Sequence, residues 1–177
     1  ISKTYTVTIP ENAPVTSTIV TSAAPAAGGT TAGDGVFANG TNVSVIATHN
    51  PGYAFVNWTE GGAEVSATAV YPFTVNGDRT LVAHFVKTWS VATSASPAAG
   101  GTTSGDGAFN TGSSVTVLAA AKPGYAFVNW TEGGVAVSAS PSYTFTIGAD
   151  RTLVANFVPV YSIATSASPA GGGGTSG

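Results

Sequence analysis

The chain has 177 residues, of which only 7% are charged, with a net charge of −3 and neither cysteine nor methionine. That charge balance leaves no basic patch to neutralise phosphates and so argues against nucleic acid as a partner; the missing thiols exclude disulfides and thiolate metal sites. A hydrophobic fraction of 43% excludes a disordered polyelectrolyte, and no apolar run approaches the roughly 20 residues that span a membrane, so no membrane insertion is expected.

Ser, Thr, Ala and Gly stand where a cytosolic protein places Lys and Glu. A soluble domain ordinarily carries about 25% charge, so this pattern points to an exported protein kept soluble by hydroxyls. A cysteine-free exported protein fits a bacterium better than a small eukaryotic secreted domain. The chain opens on Ile1, so a processed product or a fragment is expected, and the lack of a signal peptide carries no information.

In chain order, residues 1–16 form an N-terminal extension. Thr4-Tyr-Thr-Val-Thr-Ile9 alternates polar and apolar and reads as a strand, which Pro10 to Pro14 breaks. A repeat follows at residues 17–88 and returns at 89–160 without a gap. Its centre is Pro51-Gly-Tyr-Ala-Phe-Val-Asn-Trp-Thr-Glu-Gly-Gly62, which recurs unchanged as Pro123 to Gly134. Aromatic and β-branched residues between turn signals predict a strand. Strict alternation sends Tyr53, Phe55 and Asn57 to one face and Ala54, Val56 and Trp58 to the other, predicting an inner strand with Tyr53, Phe55, Tyr125 and Phe127 in the core.

Within the second repeat, strands are predicted at 89–94, 113–121, 125–131, 142–147 and 151–158, with a short edge strand at 135–138. Gly100 to Gly107 reads as a glycine-rich turn. Val115 and Val117, Tyr143, Phe145 and Ile147, and Leu153, Ala155 and Phe157 should face inward, and Phe85 should match Phe157 in the first core. Asn76-Gly77 in the first repeat is a hairpin signal. Residues 161–177 begin a third copy: Tyr161-Ser-Ile-Ala-Thr-Ser-Ala-Ser-Pro169 echoes Trp89-Ser-Val-Ala-Thr-Ser-Ala-Ser-Pro97. No window holds helical periodicity over three turns. Only Lys87-Thr88 and Pro159-Val160 separate successive repeats, too little for a flexible linker. A domain this small is marginal alone, and packing against a neighbour should help it.

The assembled pattern combines Gly-Asp-Gly-x-Phe, Pro-Gly-Tyr-x-Phe-Val-Asn-Trp, Tyr-x-Phe-Thr and Asp-Arg-Thr-Leu-Val-Ala-Asn-Phe. It resembles the divergent internalin-B B-repeat family, a bacterial surface repeat linked to the Listeria–Bacteroides type. The resemblance covers 17–160 as two copies and 161–177 as a start. It implies a small β-grasp-like fold occurring in tandem. That fold normally packs a helix on its sheet and the residues here predict none, so the expectation is an all-β chain of tandem small β-sheet domains, β-grasp-like without a clear helix. The resemblance also implies an extracellular stalk or adhesive module on the bacterial cell surface, with no catalytic residues.

The candidate chemistry is sparse. His49 and His84 have Ala121 and Asn156 at the equivalent positions, which argues against one chemistry per repeat. Asp34 and Asp106 lie in Gly-Asp-Gly turns, where aspartate is a turn former before it is a calcium ligand. Glu60 and Glu132 lack a neighbouring carboxylate for glycosidase chemistry. Arg79 and Arg151 are expected to pair with the adjacent carboxylate or lie over an aromatic ring. Lys3, Lys87 and Lys122 occupy unrelated positions, so a repeated Lys–Asn crosslink is not expected, nor is any cofactor or metal. Trp58 and Trp130 are candidates for stacking on a ligand, since tryptophan is seldom fully buried.

These residues predict a non-enzymatic structural protein, a rigid stalk or fibre. The terminal strands, through Thr4, Tyr5, Val7 and Ile9 or Tyr161 and Ile163, are candidates for pairing with a neighbouring subunit, which would make a homopolymer. Otherwise both ends simply belong to a longer array of repeats. The competing reading is an adhesin that binds glycan or a host protein.

Overall fold

The computed structural model describes Lys3 and residues 14–165, so the predicted strand Thr4 to Ile9 lies outside the described residues. The chain divides after Thr88 into two units, and strand is nearly the only regular structure of the described residues.

The first unit contains β1 (Thr16–Ala24), β2 (Gly29–Ala32), β3 (Gly35–Ala38), β4 (Asn42–His49), β5 (Tyr53–Glu60), β6 (Ala63–Ser66), β7 (Val70–Thr74) and the opening of β8 (Arg79–Ser96). Two sheets result. One is mixed, in the order β6-β5-β8-β1-β3; the other is antiparallel, in the order β2-β4-β7. The first strand lies parallel beside the last, Ile19 opposite Arg79 through Ala24 opposite His84. The second unit repeats this with the rest of β8, β9 (Gly101–Ser104), β10 (Gly107–Asn110), β11 (Ser114–Ala121), β12 (Tyr125–Glu132), β13 (Val135–Ser138), β14 (Ser142–Thr146) and β15 (Arg151–Pro159). Its sheets run β13-β12-β15-β8-β10 and β14-β11-β9. The only helical element described is a single 3-10 turn, Ala26–Gly28.

Each core lies between its two sheets. In the first unit Ile19, Trp58, Leu81, Ala83 and Phe85 come from the mixed sheet and Val45 and Ala47 from the antiparallel one. The second cluster is equivalent, with Val91, Trp130, Leu153, Ala155 and Phe157 facing Val115 and Val117. The period of two works as expected: Leu81, Ala83 and Phe85 are buried while Thr80 is exposed and Val82 half-buried. Tyr53, Phe55, Tyr125 and Phe127 are half-buried and pack against these clusters.

Strict alternation fails in the aromatic strand. Phe55 pairs with Phe85 but Asn57 pairs with His84, so Val56 is an extra, unpaired residue. This bulge resets the side-chain phase. Phe55 and Trp58, three apart, therefore meet in the core with ring centroids 6.2 Å apart, and Val56 is left exposed. Val128 makes the same bulge, with Phe127 and Trp130 also 6.2 Å apart. The strand looked apolar on both faces because its aromatics fall on either side of the bulge. All of them serve one core.

Three further expectations change. Gly100 to Gly107 is not a turn alone but contains β9 and the first residue of β10. Its glycines are packing residues, because a Cβ on Gly101 would strike the Phe157 ring and the Ala120 carbonyl. Asn76-Gly77 does not close a hairpin. β7 and β8 belong to different sheets, and Gly77 lacks the positive φ that a type I′ turn demands. The I′ geometry falls instead on Gly61 and Gly62, at φ +56° and +84°, between β5 and β6. Finally, Lys87 and Thr88 are strand rather than connection. Lys87 pairs with Tyr53, and the Thr88 N–H donates to the Gly52 carbonyl at 2.8 Å.

Candidate functional site

The charged residues that recur in both units are held by structural partners. Arg79 opens the final strand of the first unit, and Glu60 ends β5 beside it. The Arg79 Nε donates to both Glu60 oxygens, at 3.2 and 3.0 Å, and Nη2 donates to Oε2 at 2.7 Å. Its Nη1 reaches the Tyr71 hydroxyl at 3.3 Å, and the guanidinium lies 4.4 Å from the Phe73 ring centroid. Tyr71 and Phe73 stand on β7, so one arginine ties the mixed sheet to the antiparallel one. Arg151 repeats the arrangement with Glu132, the Tyr143 hydroxyl at 3.4 Å and the Phe145 ring at 4.1 Å.

The electrostatics follow from that fork. Hydrogen bonding to the glutamate raises the pKa of both arginines, against a smaller opposing effect of burial. Hydrogen bonding from Arg151 holds the Glu132 carboxyl below the usual carboxylate range. A general acid needs its pKa raised toward neutrality, so Glu132 is tuned the wrong way for that role. Arg79 and Arg151 do take the expected structural part, paired with a carboxylate and stacked on aromatics. Their carboxylate, however, is Glu60 or Glu132 rather than the adjacent aspartate.

That adjacent aspartate does something else. Asp78 accepts the Thr18 N–H at 2.7 Å, and Asp150 accepts the Ser90 N–H at 2.7 Å. In the Gly-Asp-Gly turn, Asp34 accepts both the N–H and the hydroxyl of Thr21, at 2.8 and 2.5 Å. Asp106 does the same for Thr93, with the hydroxyl at 3.1 Å. The turn is thereby pinned to the unit's first strand.

His84 meets the Thr59 hydroxyl through Nε2 at 2.9 Å. Its counterpart Asn156 donates to the equivalent Thr131 hydroxyl at 3.1 Å and to Asn129 at 2.9 Å. Two different side chains thus fill one structural role. His49 is exposed, and its ring Nδ1 meets the Asn50 carbonyl at 3.3 Å.

Trp58 and Trp130 correct an expectation. Both have 0% exposure, and their indole N–H groups donate to the Ala69 and Pro141 carbonyls at 3.2 Å. With both ring faces packed in the core, neither offers a surface for a ligand. Indole is large enough to pin the two sheets together, and a carbonyl of the opposite wall satisfies its one donor.

At the C-terminal side, Tyr161 and Ile163 have no strand assignment and are 87% and 88% exposed. Their counterparts one repeat earlier, Trp89 and Val91, pack in the second core.

The family comparison reads the same architecture. The divergent InlB B-repeat domain matches residues 19–88 and again residues 91–160. The chain belongs to this family. No curated protein and no solved structure matches it. B-repeats are typically surface-associated in bacteria. Each match runs from within the first strand of a unit through its last, including the arginine fork, the Gly-Asp-Gly pin and the buried tryptophan. No described helix is long and apolar enough to cross a membrane. Sequence reasoning missed the Glu60–Arg79 and Glu132–Arg151 forks. The available signal was the matched recurrence of Glu-Gly-Gly and Asp-Arg-Thr in both repeats.

Proposed function

We propose that this chain is a non-enzymatic load-bearing segment, two B-repeats of an extracellular stalk or fibre on a bacterium. One observation carries the reading: the charged residues and the indoles the two units share are spent on equivalent internal contacts. The arginine fork, the two aspartate pins and the tryptophan donor recur 72 positions apart, with partners at equivalent positions. What is duplicated is a way of holding two sheets together. The burial of Trp58 and Trp130 removes the aromatic platform on which the adhesin reading leaned.

The reading extends to assembly. Ile163 has the chemistry of the buried positions Ile19 and Val91 but none of their cover. Tyr161 and Ile163 therefore present first-strand residue types at an open surface.

Small-angle X-ray scattering on the purified chain tests the stalk. An elongated particle with a pair-distance function skewed to long distances is expected at the lowest concentration measured. A compact sphere, or a broad ensemble of two freely jointed lobes, overturns the reading.

A further inference from the structure

The two units differ at their sheet edges in a way that their cores do not. β14 ends the antiparallel sheet of the second unit, and among the described residues nothing pairs with its far side. The Ala119 N–H donates to Pro141 O and the Ile147 N–H to Ser113 O, each at 2.9 Å. These bonds set the phase of the β11–β14 ladder. Residues 143 and 145 turn their backbone groups toward β11, and Ser142, Thr144 and Thr146 turn theirs to the open edge. In the first unit the Ala47 N–H bonds Ala69 O at 2.9 Å. The same phase then aims residues 70, 72 and 74 outward. There residue 72 is proline, which has no N–H to offer and is a common block on edge strands. Thr144 stands at its place in the second unit. The other edge follows suit: Glu64 on β6, bonded to Asn57 at 2.7 Å, becomes Ala136 on β13. Charge and proline guard one edge of each sheet in the first unit, and the second unit carries neither guard at the equivalent positions.

We propose that the β14 edge accepts residues Thr4 to Ile9 of a second copy as an added strand. This inference rests on the stalk reading and names its assembly site. The sequences fit: Thr4-Tyr-Thr-Val-Thr-Ile9 repeats the order of residue types in Ser142-Tyr-Thr-Phe-Thr-Ile147. As the next strand, its Tyr5, Val7 and Ile9 extend the inward row of Tyr143, Phe145 and Ile147. Its threonines lie beside Ser142, Thr144 and Thr146. Threonines paired across strands bond each other, as Thr116 and Thr144 already do at 2.7 Å. No charge stands on either partner segment. β14 is preferred over β13 because β13 is four residues long and its pairing register shifts at Trp130. Pairing the N-terminal segment of one copy with β14 of the next is heterologous, and it generates an open filament wherever the rotation between copies does not close a ring.

Sedimentation velocity of the full chain over a hundredfold concentration range tests this. The sedimentation coefficient of the native chain is expected to rise with concentration. Thr144→Pro, which copies Pro72 into the second unit, and Thr6→Pro in the donor segment should each weaken association by about tenfold or more. Thr6 precedes both repeats in the chain, so Thr6→Pro still decides the matter if Thr144→Pro fails to show a native circular dichroism spectrum. A native chain that stays monomeric, or association unaltered in Thr6→Pro and in folded Thr144→Pro, overturns the proposal. An elongated monomer in scattering would then leave the stalk standing without its assembly site.

Discussion

In the first unit Ser17 donates to the Asn39 side chain at 2.6 Å; at the same two positions in the second unit Trp89 donates to the Thr111 hydroxyl at 2.5 Å. Both partners have changed and the bond has survived. His84 and Asn156 tell the same story over Thr59 and Thr131. At the edges the opposite holds: Pro72 against Thr144 and Glu64 against Ala136 exchange a blocking residue for a permissive one. Inside, the two units use different residues for one structure. At the rim, different residues give different surfaces. The comparison therefore separates what the fold requires from what the individual unit offers to a neighbour, and it can be tested from the core outward.

The largest effect should come from the tryptophan. Trp58→Ala removes the largest fully buried side chain of its core and should destabilise that unit by about 3–5 kcal/mol. Urea denaturation followed by near-ultraviolet circular dichroism is expected to show the first unit melting early. Trp130→Ala should do the same to the second. If the pair of variants gave clearly unequal losses, the two cores would not be equivalent.

Next comes the glycine floor. A Cβ on Gly29 would sit 2.5 Å from Cζ of Phe85, closer than real Cβ contacts allow. Gly29→Ala should cost about 1–3 kcal/mol by overpacking, and Gly101→Ala should match it against Phe157. Shrinking the ring in Phe85→Leu ought to recover part of the loss, and a double-mutant cycle measures that recovery. Additive losses would mean that the ring is not what the glycine accommodates.

The arginine fork is third. Arg151→Lys keeps the charge but loses the bidentate geometry and the stacking on Phe145; a loss of about 1 kcal/mol is expected. The sign of its pH dependence follows from Glu132, whose pKa is depressed in the folded state. The stabilisation is therefore present above the unfolded carboxylate value of about 4.3 and is lost as pH falls through the folded value. Native and Arg151→Lys melting temperatures should differ at pH 7 and converge at about pH 2–3. A constant difference across that range would assign the effect to packing alone.

Much of this architecture was legible because it rests on a period of two. Tyr143, Phe145 and Ile147, and Leu153, Ala155 and Phe157, declare their inward faces by alternation, and the exact duplication marks the units. What stayed hidden depends on pairing rather than on residue type. A bulge at Val56 has no signature in an apolar strand, yet it decides that Trp58 faces the same core as Phe55. Glu60 and Arg79 lie 19 positions apart and meet only because β5 pairs with β8. Asn76-Gly77 has the residues of a hairpin, but the chain crosses there between sheets, and no local rule reports that. The sheet edges are likewise invisible until the strand order assigns an outward backbone to residues 72 and 144.

The smallest effect is the sharpest test of interchangeability inside the fold. His84→Asn places in the first unit the side chain that the second already uses. Asn57 stands where Asn129 does, and Thr59 where Thr131 does, so the new amide has the same two partners that hold Asn156 at 2.9 and 3.1 Å. The change should therefore stay within about 0.5 kcal/mol of the native stability, measured by urea denaturation at pH 7. His84→Val, which fills similar space on the strand but leaves the Thr59 hydroxyl without this bond, should cost more, about 1 kcal/mol. If asparagine were as costly as valine, His84 would have a role in the first unit that the Asn156 geometry does not reproduce. The histidine would then belong with Pro72 and Glu64 among the residues that make the first unit distinct.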